Sequence, residues 1–376
     1  MTRYCLIGPT YPYRGGIAHY TTLLAQQLRQ HHDLLFISFS RQYPRWLFPG
    51  RDDRDPSQNP LQTEAEYLLD SLNPFSWRQV LRRIQAWRAD VVIIPWWVPF
   101  WAPVWAYLSW GIKRLTPAPK LLFICHNVLP HESNRFDPLA LRLALRWGDG
   151  YIVHAQTDKT KLQAVFPQAR IEVNPLPTYR ELGQNAAAMS TIPLPTDRPI
   201  LLFFGFVRPY KGLDILLEAL PLVLAQQPVY LLVAGEFWQG TAQYQEQIER
   251  LQLRPHVTLL DRYLPDEELI AYVQRADVAI LPYRTATQSA VIQVALGHGC
   301  PVITTHVGGL AEAVQDGVTG LVVPPDNPVA LAKAILRYQN EQLSLPFRAN
   351  IRQQQDRFSW VNLVQTIENI VQLNDP

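Results

Sequence analysis

Residues 200–214 read ILLFFGFVRPYKGLD, and this stretch decides the fold. Its first five residues are apolar and suit a buried strand, Gly205 follows at the strand end, and Leu213 begins a predicted helix. An apolar strand that turns through glycines into a helix is the building unit of parallel α/β sheets. The stretch therefore predicts one unit of a doubly wound sheet.

The same unit recurs along the whole chain, where short apolar runs alternate with amphipathic segments. The predicted strands are residues 3–8, 34–39, 90–94, 120–125, 150–154 and 170–174, then 200–205, 229–234, 257–260, 278–282, 301–304 and 320–323. The second six repeat the order of the first six, and a chain of 376 residues is long enough for two cores. We therefore expect two doubly wound, Rossmann-like α/β domains.

The domain boundary is predicted in a stretch without periodicity. Residues 181–198 contain Gly183, Pro193 and Pro195, which is typical of a linker. This divides the chain into an N-terminal domain of residues 1–180 and a C-terminal domain of residues 199–358. The crevices beyond the carboxyl ends of their strands are where doubly wound folds bind ligands.

Composition excludes several classes of protein. The formal net charge is only +2, from 34 basic and 32 acidic residues, so no nucleic-acid partner is expected. The three cysteines, Cys5, Cys125 and Cys300, lie in or beside apolar runs and are interpreted as reduced thiols. Because the chain opens on a strand-like segment instead of a signal peptide, a cytoplasmic location is expected.

Neither a nicotinamide cofactor nor a metal ion is predicted. The first strand is not followed by the G-x-G-x-x-G pattern, and residues 38–40 at the end of the second strand carry no carboxylate for a ribose. His131, His154, His298 and His306 show no spacing typical of metal ligands.

The segment from Val91 to Ile112 contains no charged residue and matches the length of a membrane span. Three prolines within it argue against one continuous helix, so we predict a strand at residues 91–94 and a helix at residues 102–115. The aromatic run from Trp96 to Trp110 has two interpretations, burial in the core or a protein contact on one side, and peripheral contact with the inner membrane surface on the other.

Two loops in the chain combine glycines with groups that recognise ligands. Gly15 and Gly16 precede a predicted helix at about residues 17–29, where backbone N–H groups can approach an anion or a sugar, although a plain tight turn explains them equally well. Arg208 and Lys211 follow a buried strand and are bracketed by glycines. Both can reach a diphosphate and stabilise charge on a leaving nucleotide.

Two further sets of residues follow later strands. Tyr283 is followed by Thr287, Gln288 and Ser289, which stand before an apolar helix where hydroxyls cap the helix and N–H groups can face phosphate. His126 ends the strand at residues 121–125 and is either a sugar-binding group or a histidine satisfied by backbone. It points away from Cys125, which disfavours a thiol nucleophile.

Together these residues resemble the retaining family 4 (group 1) glycosyltransferases. The specific matches are Gly205-x-x-Arg208-x-x-Lys211-Gly212, residues 276–282, Gly299-x-Pro301-Val302-Ile303 and residues 307–312. The resemblance implies a GT-B fold, with two domains facing across a cleft, and a C-terminal helix at residues 359–376 that packs back on the N-terminal domain.

The resemblance also implies the chemistry. It predicts metal-independent transfer of a hexose, with retention, from a nucleoside-diphosphate sugar to a glycan, lipid-linked or small acceptor. His126, Arg208 and Lys211 are the implied catalytic residues. The resemblance implies that the loop of Thr287, Gln288 and Ser289 covers the donor diphosphate, and the predicted donor-binding residues also include Gly15, Gly16 and Tyr283. For the nucleotide base we expect backbone contacts near Glu236, Arg262 and Tyr263, with ordinary surface loops as the alternative interpretation.

One departure bears on activity. Most of the family carries two glutamates eight positions apart, and Ala286 and Val294 stand at those positions here. Gln288 or Gln293 is a possible replacement. The alternatives left open are a non-catalytic sugar-nucleotide-binding subunit and an epimerase or phosphorylase of the same two-domain plan, although an epimerase needs a carboxylate pair that these loops lack.

Overall fold

In a computed structural model of the chain, residues 2–44, 50–129, 136–183 and 192–372 are described. They form two compact units. The first comprises Met1–Asp55, Leu61–Leu176 and Ser359–Pro376, and the second comprises Pro56–Pro60 and Pro177–Phe358. His131 and residues 184–191 of the predicted linker lie outside the described residues.

The first unit is built on a parallel sheet of seven strands in the order β3-β2-β1-β4-β5-β6-β7. The strands are β1 (Arg3–Ile7), β2 (Asp33–Arg41), β3 (Glu66–Asp70), β4 (Val91–Trp96), β5 (Lys120–Cys125), β6 (Gly150–Val153) and β7 (Ile171–Val173). The helices between them are α1 (Gly16–Leu28), α2 (Pro74–Trp87), α3 (Ala102–Ile112), α4 (Asp137–Leu145) and α5 (Gln156–Val165).

The second unit repeats this plan with six parallel strands in the order β10-β9-β8-β11-β12-β13. They are β8 (Ile200–Phe204), β9 (Tyr230–Ala234), β10 (Val257–Leu260), β11 (Val278–Leu281), β12 (Val302–Thr305) and β13 (Gly320–Val323). The helices are α6 (Leu213–Leu224), α7 (Ala242–Arg250), α8 (Asp266–Arg275), α9 (Ala290–Gly297), α10 (Leu310–Ala313), α11 (Pro328–Asn340) and α12 (Ser344–Gln353). The final helix, α13 (Trp360–Gln372), belongs to the first unit.

All twelve predicted strands are present, and each is within two residues of its predicted bounds at either end. The thirteenth strand, β3, was not predicted. In the described part of the chain it pairs with β2 alone and is the edge of its sheet, and of its five residues only Leu69 is buried. An edge strand with one core side chain leaves little apolar periodicity to detect.

The order of each sheet reverses beside its first strand, between β1 and β4 in the first unit and between β8 and β11 in the second. At such a switch point neighbouring connections run to opposite sides of the sheet and leave a crevice beyond the strand ends. Lys211 follows β8 and Tyr283 follows β11, whereas Gly15 follows β1. These three candidate loops therefore lie at switch points, whereas His126 follows β5, one strand further along the sheet.

The charge-free segment from Val91 to Ile112 forms the strand β4, a short turn and the helix α3, as predicted. Trp96, Trp97, Trp101 and Trp105 are buried in the hydrophobic core of the first unit, whereas Trp110, the fifth tryptophan of this segment, is 39% exposed. Of the two interpretations of this aromatic run, burial in the core is the one that holds for these four side chains. Trp97, Trp101 and Trp105 pack against one another, and Trp101 also packs against Phe39. Within the described ranges no helix combines the length and apolarity needed to cross a membrane.

Candidate functional site

The turn between β8 and α6 holds a buried cation. Lys211 ends a single 3-10 turn at Pro209–Lys211, and its side chain is only 6% exposed. Gly212 follows with φ of 70°, and a Cβ there would lie 2.1 Å from the carbonyl oxygen of Pro282. Only glycine fits this approach, so the turn is held tightly against the end of β11.

Burial lowers the pKa of Lys211 to about 7, and the nearby charge of Arg208 adds to this effect. Its Nζ lies 5.4 Å from the centre of the Tyr283 ring. Within the described ranges Lys211 forms no ion pair with a carboxylate. Burial without a counter-ion favours the neutral amine of Lys211 over the charged ammonium. An anion placed beside Lys211 would instead favour the ammonium.

Arg284, on the next strand end, is in the opposite situation. Its guanidinium donates to both carboxylate oxygens of Asp214, at 2.8 and 2.6 Å, and to Asp326 at 2.7 Å. It also donates to the carbonyl oxygen of Pro209 at 2.9 Å. Arg284 thus fastens the 209–214 turn to the end of β11 and has its charge matched within the protein. Lys211, which has no such carboxylate partner among the described residues, is therefore the cation of this turn that can pair with an anionic ligand.

Arg208 lies over aromatic rings. Its guanidinium carbon is 5.3 Å from the Tyr210 ring and 4.8 Å from the Trp238 ring. Phe206 contacts both Trp238 and the predicted donor residue Tyr263, with ring centres 5.1 and 5.9 Å apart. Trp238 is not among the residues predicted for the site. It lies four residues beyond the end of β9, and a position just after a strand is the kind of signal that could have indicated it.

The polar loop before α9 is shaped by a close approach of two backbones. Gly308 has φ of 48°, and a Cβ there would lie 1.7 Å from the carbonyl oxygen of Ala286. The neighbouring Gly309 N–H donates to the carbonyl oxygen of Thr287 at 2.9 Å. Ser289 is the N-cap of α9 and accepts from the Ile292 N–H at 3.4 Å, so capping accounts for one of the three predicted polar residues.

The two positions at which most of the family carries glutamate are occupied here by buried apolar residues. Ala286 lies in the loop and Val294 on α9, and both are less than 10% exposed. Gln288 and Gln293 lie close to them in the chain. The Nε2 of Gln288 and the Oε1 of Gln293 are buried, and neither has a hydrogen-bond partner in the described part of the chain.

The predicted contacts near the end of β10 have structural partners of their own. The Arg262 guanidinium lies 2.6 Å from Oε1 of Glu268, which also accepts from Tyr272 at 3.0 Å. Glu236 is buried, and its carbonyl oxygen accepts from Val207 at 2.9 Å. These contacts hold the loops after β9 and β10 in place, so the Arg262 side chain serves an ion pair within the protein.

In the first unit the glycine loop is open. Gly15 is the N-cap of α1 with φ of 100°, and a Cβ at this position would meet no atom within 4 Å. The α1 helix runs from Gly16 to Leu28, close to the predicted bounds. Only glycine readily adopts the backbone conformation of Gly15. Because no atom lies close to this position, there is also space beside it for a ligand.

His126 lies in an aromatic cluster that the sequence did not reveal. It follows β5, and its ring centre is 4.4 Å from Tyr20 and 5.1 Å from His154. Trp360 of α13 also contacts Tyr20, with ring centres 5.0 Å apart. The cluster joins the helices α1 and α13 with the residues that follow β5 and β6, so spacing along the chain could not have shown it.

Both histidines are neutral near pH 7. Burial lowers the pKa of His126 well below its usual value, and His154 adds to that effect, while burial lowers the pKa of His154 to about 4. Nδ1 of His154 lies 2.9 Å from the carbonyl oxygen of Asn174, and Nε2 of each ring has no partner among the described residues. A neutral imidazole can bind a hydroxyl group without attracting an anion.

A cavity of about 860 Å³ lies beyond the carboxyl ends of β1, β2 and β3. Its walls include Tyr13, Tyr43, Arg41 and Arg54. Arg41 is paired with Asp70 at 2.7 Å, and the Arg54 guanidinium lies 5.0 Å from the centre of the Tyr13 ring. The lining also includes Asp52 and Asp53, and Arg54 lies 3.4 Å from a carboxylate oxygen of Asp53. It thus combines aromatic faces with paired charged groups, a mixture suited to the hydroxyls of a sugar.

Sequence comparisons identify both halves of the chain. Residues 198–341 match the family model described as Glycosyl transferases group 1, and residues 14–178 match the model described as Glycosyltransferase Family 4. The D-inositol 3-phosphate glycosyltransferase of Streptomyces scabiei is 30% identical over 285 residues, which are 67% of this chain and 62% of that protein. The protein of the same name from Streptomyces griseus subsp. griseus is 33% identical over 184 residues, which are 46% of this chain and 38% of that protein. The chain therefore spans less than two thirds of the length of either relative.

Solved structures share the fold. Sucrose-phosphate synthase from Thermosynechococcus elongatus is 20% identical, with a TM-score of 0.70 and 98% of each chain covered. Anabaena HepE in complex with UDP-glucose is 18% identical, with a TM-score of 0.71, and 98% of this chain and 99% of that chain are covered. The fold is accordingly the GT-B fold of two Rossmann-like domains. On its family matches and its fold, the chain belongs to the group 1 glycosyltransferases.

Proposed function

We propose that this protein transfers a hexosyl group from a nucleoside-diphosphate sugar to a hydroxyl group of a glycan, a lipid-linked sugar or a small acceptor. The observation that carries the proposal is Lys211, a buried ammonium at a switch point with no carboxylate partner among the described residues. A diphosphate is the ligand that supplies the missing negative charge, and charge-assisted hydrogen bonds to it are strong.

In this reaction the acceptor oxygen forms a bond to C1 of the hexose. The bond between C1 and the β-phosphate oxygen breaks, its electron pair leaves on the nucleoside diphosphate, and the hydroxyl proton passes to the leaving group or to water. Negative charge therefore grows on the diphosphate in the transition state. Lys211 and Arg208 stabilise that charge, which is the role of preorganised cations in such transfers.

Because two cationic side chains supply this stabilisation, the proposed reaction needs no metal ion. In this proposal the phosphates lie at the first N–H groups of helix α9, with Thr287 and Gln288 beside them, and the support for it is that α9 begins in this loop with Ser289 as its cap. We infer a uridine nucleotide as the first donor to test, because Anabaena HepE has been solved with UDP and with UDP-glucose. Retention of configuration at C1 is part of the proposal through the family resemblance alone.

The first unit supplies the uncharged part of the proposed chemistry. His126, neutral and buried, binds a hydroxyl of the transferred hexose or of its acceptor. The open Gly15-Gly16 loop and the cavity lined by Tyr13 and Arg54 are the proposed surfaces for donor and acceptor hydroxyls.

A second candidate function rests on the apolar residues Ala286 and Val294. Without the two carboxylates, the chain could bind a sugar nucleotide and not turn it over, as a non-catalytic subunit. We favour the active enzyme, because Gln288 and Gln293 each hold a buried amide atom that has no partner among the described residues and can bind donor hydroxyls.

The decisive experiment is a thermal-shift panel with UDP, GDP, ADP and dTDP in the presence of EDTA. A ligand that binds only the folded form raises the melting temperature. We expect one nucleotide to do so, and we expect Lys211→Ala to abolish the shift and reduce turnover by at least about a hundredfold, as loss of one preorganised charge does.

Lys333→Ala is the matched control, because it removes an exposed lysine of the same unit. It should keep both the shift and the activity. If none of the four nucleotides stabilises the protein, the donor site is wrongly assigned. Binding of a nucleotide without hydrolysis or transfer over an acceptor panel would favour the binding subunit.

A further inference from the structure

Three helices of the first unit lie side by side and share an outer face. Trp77 of α2 contacts Tyr107 of α3, with ring centres 5.5 Å apart. Leu81 of α2 packs so closely on Gly111 of α3 that a Cβ there would lie 2.4 Å from it. On the other side of α3, Ser109 donates to the carbonyl oxygen of Ala144 on α4 at 3.4 Å. The order is therefore α2, α3, α4, and we call their outward side the α2–α4 face.

Among the described residues, the α2–α4 face carries exposed cations and no exposed carboxylate. Its exposed arginines are Arg78, Arg82, Arg114, Arg142 and Arg146. The segments 72–88, 102–118 and 136–148 contain a single acidic residue, Asp137, which is buried. Nearby, Glu66 is paired with Arg83 and Asp149 with Lys113. The whole chain has a net charge of only +2, so this face concentrates positive charge instead of reflecting the average.

The same face exposes large apolar side chains. Phe75 is 79% exposed, Leu139 57% and Trp110 39%. The guanidinium of Arg114 lies 4.0 Å from the centre of the Trp110 ring. Exposure of aromatic and aliphatic side chains to water is unfavourable. When basic residues surround such side chains, the boundary between lipid headgroups and acyl chains is a favourable environment for both.

We propose that the α2–α4 face docks on a membrane surface rich in anionic lipids. Charge complementarity selects this occupant, because the arginines match anionic headgroups and the apolar side chains can enter the layer beneath them. An acidic protein partner would match the charge, but it would leave Phe75 and Leu139 in need of a dedicated pocket. The inference concerns the first unit alone and does not rest on the proposed transfer reaction.

The test is co-flotation of the full chain with vesicles of phosphatidylcholine alone and of phosphatidylcholine mixed with phosphatidylglycerol. We expect binding to the mixed vesicles only, weakened by added salt. The variant Arg78→Glu/Arg82→Glu/Arg142→Glu should lose at least about a hundredfold in partition, since each basic residue near an anionic surface contributes about fivefold. Phe75→Ser/Leu139→Ser should weaken binding while leaving the melting temperature unchanged.

The matched control is Lys333→Glu/Arg337→Glu/Arg352→Glu, which makes the same change of net charge at three exposed positions of the second unit. It should bind like the unmodified protein. Failure of the unmodified protein to float with the mixed vesicles would overturn the proposal, and so would equal losses in the two charge-reversal variants. Equal binding to both kinds of vesicle would contradict the role of the arginines.

Discussion

The two sheets of this protein have the same winding but differ in what they place at the switch point. In the second unit the turn after β8 is packed against β11 and buries Lys211. In the first unit the loop after β1 is open, and the nearby buried groups of the His126 cluster are neutral imidazoles and a phenol. Similar backbones can therefore present a buried cation or neutral polar groups near their strand ends, and the difference comes from the side chains that are buried there.

The difference in packing at the two glycine loops predicts the largest effect. Gly212→Ala forces a Cβ into contact with a carbonyl oxygen at 2.1 Å, in addition to the strain of φ at 70°. We expect a loss of more than about 3 kcal/mol, or roughly 10 °C in melting temperature. Gly15→Ala meets no neighbouring atom, so it should cost only the strain, about 1 to 2 kcal/mol.

Thermal unfolding of the two variants checks this comparison, with each transition followed in the absence of ligand. Similar losses of melting temperature in both variants would contradict the claim that one loop is packed and the other open. A large loss in Gly15→Ala alone would reverse it.

Substitution of His126 tests whether binding of an uncharged hydroxyl is separate from binding of the diphosphate. If this residue binds a hydroxyl while the second unit binds the diphosphate, His126→Ala should reduce kcat by about tenfold or more. The thermal shift produced by UDP should not change. The control is His31→Ala, which removes an exposed histidine of the same unit. Loss of the UDP shift in His126→Ala would show that the two roles are not separate.

The smallest expected effect is on the pH dependence of nucleotide binding. In the free protein the pKa of Lys211 is about 7, below its ordinary value of 10.5, so the folded state binds this proton less tightly than the unfolded state. This group therefore lowers stability at neutral pH and below, and its contribution rises as pH increases from about 7 toward 10.5. A diphosphate favours the protonated form, so binding should take up a proton.

Nucleotide affinity should accordingly fall as pH rises above about 7, by no more than about tenfold per pH unit. Calorimetry at pH 8 in buffers of different ionisation enthalpy measures the proton uptake directly. Lys211→Arg keeps its charge over this range and should bind without uptake. An unchanged uptake in that variant would assign the proton to another group.

The fold could be predicted from sequence because its signals are local. An apolar strand and the helix that follows it are each readable within about ten residues, and twelve strands were found in this way. The edge strand β3 was missed for the same reason, since Leu69 is its one buried residue. Pairing with β2 is a contact between distant residues and leaves little periodic trace.

The candidate site could be predicted only as a list of loops. The spacing of Arg208, Lys211 and Gly212 indicated a phosphate site, yet the isolation of Lys211 from carboxylates, against the double pairing of Arg284, appears only in three dimensions. The aromatic run shows the same limit. In the sequence Trp101, Trp105 and Trp110 all belong to the same charge-free aromatic run. In the structure the first two are buried in the core and the third is exposed.

The sequence by itself determined the alternation of strands and helices, the repeat of the doubly wound plan and the loops that stand at strand ends, because hydrophobic periodicity is a property of neighbouring residues. Tertiary structure alone decided which charges lack a partner and which side chains meet. Two helices and two strand ends supply the cluster of Tyr20, His126, His154 and Trp360, and only the winding of the sheet and the return of α13 bring them together. Burial and contact depend on residues far apart in the chain, so no local pattern contains them.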